Sequence, residues 1–182
     1  MIDAQQKKEA KQNFDRYLKD GLLKKEINET ARQMYIKNAE LSVQLAEECM
    51  NSSLKPYLWI VVISYYSMFY ISNAVLLNIG YKTGDKIVHK VTSDALIVLI
   101  MDRIRKELLE EYQDVKEDAL EIASIKSEEL VQLYALELEK RSRFQYNMIE
   151  SIQEQKAKTS LKRAKEFILE MKKLLSEFTG AK

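Results

Sequence analysis

The most restrictive feature of the sequence is an uncharged segment of 26 residues, 56–81. A helix of this length could cross a lipid bilayer. However, polar side chains interrupt the segment on several faces, and such a helix is more typical of the buried centre of a bundle, where neighbouring helices supply hydrogen-bond partners. We therefore predict a buried central helix over residues 56–79, with a membrane span as the alternative. The interrupting residues are Ser64, Tyr65, Tyr66, Ser67, Tyr70, Ser72, Asn73 and Asn78.

Residues that favour tight turns are scarce elsewhere as well. The 182 residues include 4 Gly and 1 Pro, too few for the many turns of a β-sandwich or barrel or for a glycine-rich phosphate loop. Cys49 and His89 are the single cysteine and histidine, which excludes an intramolecular disulfide and the common zinc and di-iron motifs. We expect no metal and no cofactor. The sequence predicts an all-α fold, an up-and-down bundle of four to five long helices.

Apolar periodicity divides the chain into helices within a single domain. Residues 1–25 form an N-terminal helix and lead-in, residues 26–178 form the core bundle, and residues 179–182 form a tail that we expect to fray. Besides the central helix, the predicted helices cover residues 4–20, a stretch from Asn28 or Thr30 to 51, 85–111, 127–152 and 157–178. The apolar stripe of the second helix comprises Ile27, Ala31, Met34, Leu41, Leu45 and Cys49, with Asn38 in the same stripe.

Charge is distributed unevenly, although the whole chain carries a formal charge of only +1. Residues 102–139 hold 5 basic and 12 acidic side chains, a net charge of −7, whereas residues 140–165 hold 8 basic and 2 acidic, a net charge of +6. This pattern is typical of two faces that pair with each other or with a second copy. The alternative is a local anion-binding patch around Lys140, Arg141 and Arg143.

Two polar residues interrupt the apolar stripe of the predicted helix 127–152. Arg141 and Gln145 occupy positions that packing alone would give to leucine. A polar group on an apolar stripe costs free energy unless it has a partner. One interpretation is an arginine that extends to solvent or pairs with a carboxylate across the bundle. The other is a partly buried guanidinium in a cleft or in a dimer seam, which predicts a homodimer.

Five motifs occur in the order found in HEPN-domain proteins, and the chain resembles that family over residues 15 to 178. The central segment 64–74 resembles the helix "YYAMFHAARALL", and residues 18–24 resemble the lead-in "L-x-x-G-L-(I/L)-K". Gly80 and Tyr81 followed by His89 and Lys90 are similar to "GY…THK". Arg141 with Tyr146 is similar to "R-x-x-A-D-Y", and residues 163–167 to "RAEEF".

The resemblance implies a dimeric helical bundle from a toxin–antitoxin or defence module, often encoded beside a minimal nucleotidyltransferase. Active members of the family are metal-independent RNases that use the motif R-x(4–6)-H. In these enzymes the arginine would hold the scissile phosphate and the histidine would transfer a proton. In this chain Tyr146 and Asn147 stand at positions where the motif has histidine, and His89 lies on another predicted helix.

The sequence thus favours a cytoplasmic protein that binds RNA, nucleotide or a nucleotidyltransferase partner without efficient catalysis. The predicted binding residues are Arg141, Arg143, Gln145, Tyr146 and Asn147. Two alternatives stay open. One is a metal-independent RNase toxin whose catalytic candidates are Arg141, Tyr146 and His89. The other is a structural helical adaptor, or a membrane protein built on residues 56–81.

Overall fold

The computed structural model describes the backbone of residues 2–136 and 143–179, and the side chains of residues 2–122 and 151–178. The described chain is mostly helical, as predicted. Its elements in order are α1 (Ala4–Lys19), β1 (Leu23–Lys25), α2 (Glu29–Asn51), α3 (Tyr57–Asn78), β2 (Tyr81–Thr83), α4 (Val88–Leu99), a 3-10 turn (Met101–Arg103), α5 (Lys106–Leu136) and α6 (Arg143–Thr179).

Helix α3 occupies the centre of the bundle, in contact with α2, α4, α5 and α6. Fifteen of its 22 residues are buried. Most of its buried polar side chains have partners: the Ser72 hydroxyl donates to the Met68 carbonyl at 2.7 Å, and the Asn73 amide oxygen accepts from Thr83 at 2.7 Å, whereas the buried Ser64 hydroxyl has none among the described residues. Among the described helices, α3 alone has the length and composition to cross a membrane, and 78% of its most apolar window is buried within the protein. The prediction of a buried central helix is confirmed.

Helix α2 begins after Asn28, whose side chain caps it by accepting from the Ala31 amide at 2.9 Å. Except for Cys49, its predicted apolar stripe is not the face that packs on the core. The core face instead carries the small buried residues Ala39 and Ala46, flanked by larger, half-buried side chains at Tyr35, Ile36, Val43 and Met50. The large residues of the stripe, Ile27, Met34, Leu41 and Leu45, are exposed.

The helix boundaries in the second half also differ from the prediction. The predicted helix 85–111 is two helices, because α4 ends at Leu99 and α5 begins at Lys106 after the 3-10 turn. Helix α5 is already formed well before residue 127. Helix α6 runs without a break through residues 152–157, where two separate helices were expected. An apolar stripe indicates a helix but does not locate its ends.

A two-stranded ribbon is the one sheet among the described residues, and the all-α prediction did not include it. Strands β1 and β2 pair antiparallel, with Leu23 opposite Thr83 and Lys25 opposite Tyr81. Gly80 provides the turn between α3 and β2 with a φ of 87°, a conformation that suits glycine. Each strand has only three residues, so the fold class stays all-α.

Candidate functional site

The residues predicted to bind RNA or nucleotide fall largely outside the described part of the chain. Lys140 and Arg141 lie within residues 137–142, which are outside the described residues. Arg143, Gln145, Tyr146 and Asn147 belong to the first five described residues of α6, but their side chains are outside the described set. The predicted grouping of these side chains therefore stays a prediction.

The remaining basic residues of the block 140–165 are engaged in ion pairs. Lys156 contacts Asp118 at 2.7 Å, and Arg163 contacts Asp114 at 3.2 Å and Glu111 at 3.7 Å, so α6 pairs with the acidic face of α5. Other members of the block pair with carboxylates on α2 and α6; these pairs are Lys158–Glu154, Lys162–Glu166 and Lys165–Glu47. The interpretation as faces that pair with each other is confirmed for Lys156 and Arg163, whereas Lys158, Lys162 and Lys165 pair with carboxylates outside the acidic stretch 102–139.

His89, the single histidine, lies near the start of α4 and packs into a cluster of aromatic rings from α3. Its ring centroid is 4.8 Å from that of Phe69, 5.4 Å from that of Tyr65 and 5.8 Å from that of Tyr66. The Nδ1 atom lies 2.7 Å from the Tyr65 hydroxyl, in hydrogen-bond contact. The ring is thus held in one orientation by packing and by one polar contact.

The protonation of His89 follows from this setting. Burial lowers the pKa of the imidazole, and the nearby charge of Lys116 lowers it further. Burial raises the pKa of the Tyr65 hydroxyl well above its usual value, so Tyr65 stays protonated and shares a hydrogen bond with a neutral imidazole.

A second polar cluster joins α1 to α4. The buried carboxylate of Asp94 accepts from the Tyr17 hydroxyl at 2.8 Å and from the Asn13 amide at 3.0 Å, and Lys90 lies 3.8 Å away. Burial and the hydrogen bond to Asp94 raise the pKa of Tyr17, which keeps its proton on the hydroxyl. Such a charge-assisted network fixes the position of α1 on the bundle.

A cavity of about 170 Å³ opens beside this cluster, between α1, α4 and α5. Lys116 lines it and donates from Nζ to the Ser93 hydroxyl at 3.0 Å, and burial lowers the pKa of its ammonium group. The cavity is smaller than the roughly 300 Å³ at which ligand pockets usually begin. Asp94 and Glu9 also offset the positive charge of Lys90 and Lys116 there. The geometry is that of a structural network with room for a small polar molecule.

Sequence reasoning missed this cluster. Asp94 offered a signal, because it is a single carboxylate within the otherwise uncharged segment 91–101 and must therefore find partners. Nothing in the sequence marked Asn13 or Tyr17 as those partners. In the parts of the chain with described side chains, no group of three or more His, Cys, Asp or Glu residues could hold a metal ion.

Comparison of the chain with protein-family models, with curated proteins and with solved structures found no match.

Proposed function

We propose that the chain is a HEPN-like RNA- or nucleotide-binding protein of a toxin–antitoxin or defence module that does not cleave RNA efficiently. The observation that carries this proposal is the setting of His89. Metal-independent RNA cleavage needs a group that transfers a proton, and histidine is the side chain suited to neutral pH. The only histidine of the chain is neutral, packed among three rings and bound to a tyrosine hydroxyl.

The ion pairs of α6 narrow the place where an anion would bind. Lys156 and Arg163 already face carboxylates of α5, so they contribute little attraction to a phosphate. The basic residues of the block that precede them are Lys140, Arg141 and Arg143. In the proposed site Arg141 binds a phosphate bidentately, and Tyr146 stacks on a base or donates a hydrogen bond.

The burial of α3 supports a soluble, cytoplasmic protein, because most of the apolar segment is covered by other helices of the same chain. A nucleotidyltransferase partner is the other binding function that the resemblance to HEPN proteins suggests. A protein that binds only a nucleotidyltransferase would have no affinity for a bare oligonucleotide, so a measurement of RNA binding distinguishes the two functions.

The test measures binding of a fluorescent single-stranded RNA by anisotropy over a series of salt concentrations. We expect Arg141→Ala to weaken binding about tenfold and to lower the salt slope by about one. Lys162→Ala is the matched control, because it also removes one positive charge, here at a well exposed position of α6. It should change RNA binding by about twofold at most.

A cleavage assay without metal completes the test. We expect little degradation of the labelled RNA by the wild-type protein, and no further change in His89→Ala. Robust cleavage that Arg141→Ala abolishes would show that the protein is an RNase. Equal loss of binding in Arg141→Ala and Lys162→Ala would mean that charge alone attracts the RNA and that no specific site exists at Arg141.

A further inference from the structure

The outer face of α2 carries an apolar stripe with the spacing of a coiled-coil seam. Ala31, Met34, Asn38, Leu41 and Leu45 follow one another at steps of 3, 4, 3 and 4 residues, the alternation of heptad positions a and d. Met34, Leu41 and Leu45 are 60%, 52% and 48% exposed. None of the five residues carries a formal charge.

Helix α3 extends this apolar stripe into a wider surface. Trp59 and Tyr66, two turns apart on α3, are 53% and 38% exposed. The Tyr66 ring lies 6.1 Å from the Tyr70 ring, which lies 6.1 Å from the Tyr35 ring on α2. The contact between Tyr35 and Tyr70 shows where α2 and α3 meet on this side. Asn38 lies about one turn after Tyr35 on α2, so the exposed aromatic residues of α3 border the stripe on α2. We call this surface, formed by Met34, Asn38, Leu41, Leu45, Trp59 and Tyr66, the α2–α3 face.

The size of the α2–α3 face is that of an interaction surface. Its five large apolar side chains are about half exposed, so at roughly 200 Å² for each fully exposed side chain they present about 500 Å². The largest apolar patch on a typical monomer is about 300–600 Å², and it often has a function. If two such faces met, about 1,000 Å² would be buried, which is close to the lower limit for a specific protein–protein interface.

We propose that the α2–α3 face binds the same face of a second copy of the chain across a two-fold axis. A two-fold interface requires a self-complementary surface. An uncharged a/d seam meets this requirement, because the same knobs and holes occur on both copies. Asn38 meets it as well, since its amide both donates and accepts and can pair with Asn38 of the partner subunit near the axis. A central asparagine in such a seam fixes the register at a cost in stability.

This inference does not rest on the proposed RNA binding, and it differs from the dimer seam expected at Arg141 and Gln145. It places the interface on the outer face of α2 and on the exposed residues Trp59 and Tyr66 of α3. Exposed apolar residues on α5, such as Leu120, lie on a helix that has no extensive contact with α2. Leu120 therefore provides a control position.

The first experiment is sedimentation equilibrium of the full chain over micromolar to millimolar concentrations. We expect the wild-type protein to reach twice its monomer mass of 21.3 kDa. The double variant Leu41→Asp/Leu45→Asp should weaken self-association at least about 100-fold, because it places charges at the centre of the seam. Leu120→Asp should associate like the wild type. Circular dichroism of all variants should show unchanged helix content.

Trp59 offers an independent signal, because it is the only tryptophan of the chain. Its emission should shift to shorter wavelength as concentration rises, and the shift should be absent in Leu41→Asp/Leu45→Asp. Asn38→Leu should tighten the dimer about tenfold, as expected when a polar seam residue becomes apolar. A wild-type protein that stays monomeric would overturn the proposal, as would equal weakening by Leu120→Asp or an unchanged dimer in Leu41→Asp/Leu45→Asp.

Discussion

Two buried tyrosines allow the same chemical change to be compared in two environments. Tyr17 and Tyr112 are 0% and 1% exposed. The Tyr17 hydroxyl donates to the buried Asp94 carboxylate at 2.8 Å. The Tyr112 hydroxyl lies close to Tyr65 and Ser93, yet it makes no hydrogen bond of ordinary geometry to any described residue. Replacing each tyrosine with phenylalanine removes one oxygen atom and leaves the ring in place.

The structure predicts different costs for the two variants. A hydrogen bond to a charged group contributes about 1.5–3 kcal/mol to stability. Asp94 keeps Asn13 and the more distant Lys90 after the change, so its charge stays partly compensated. We therefore expect Tyr17→Phe to lower the free energy of unfolding by about 2 kcal/mol. Tyr112→Phe removes a buried polar atom without a partner, and we expect a change between zero and a gain of about 1 kcal/mol.

Urea denaturation followed by circular dichroism measures this difference. All variants should be compared at one protein concentration, because self-association would add to the apparent stability. The two midpoints should differ by an amount that corresponds to about 2–3 kcal/mol at an unchanged m-value. The reasoning is refuted if Tyr17→Phe is no less stable than Tyr112→Phe. A second check adds Tyr17→Phe to the variant Asp94→Asn. The loss of unfolding free energy caused by Tyr17→Phe should then fall to about half or less.

Two further predictions concern the buried centre of the protein. Ala74→Asp should lower the free energy of unfolding by about 3–5 kcal/mol, because Ala74 is fully buried in α3 and a new carboxylate there has no partner. A loss below about 0.5 kcal/mol in urea denaturation would mean that α3 is exposed. Stability should fall as the pH rises above about 10, since burial raises the pKa values of Tyr17, Tyr65 and Tyr112 in the folded state, and unfolding at high pH releases their protons. An unfolding free energy that stays constant or increases above this pH would contradict that assignment.

The sequence predicted the extent of both α2 and α3, but it indicated burial only for α3, and the difference has a physical reason. Most of α3 is buried against other elements, so its lack of charge alone indicated burial. Helix α2 has two apolar faces, and periodicity cannot tell which one packs within the monomer. The core face depends on Ala39 and Ala46, whose small side chains allow close approach of the neighbouring helices but contribute little apolar area. The larger residues Met34 and Leu41 dominated the pattern.

Contacts between residues distant in sequence account for the rest of what was missed. The Asp94 cluster joins residues about 80 positions apart, and no local pattern encodes such a contact. His89 was recognised as a candidate, but its actual setting depends on rings that α3 contributes. The break between α4 and α5 lacks both glycine and proline, which are the strongest signals of a helix end.

The β1–β2 ribbon constrains the order in which the chain assembles. Lys25 and Tyr81 are separated by the whole of α2 and α3, so closing that loop in an unfolded chain costs entropy before any contact compensates. Packing of α2 against α3 removes most of this cost, because it brings the start of α2 beside the end of α3, where Arg32 donates to Asn78. We therefore expect the two helices to pair first and the ribbon to form as an extension of their ends. Helix α1, which β1 connects to this assembly, would dock on α4 late and exchange its amide protons early.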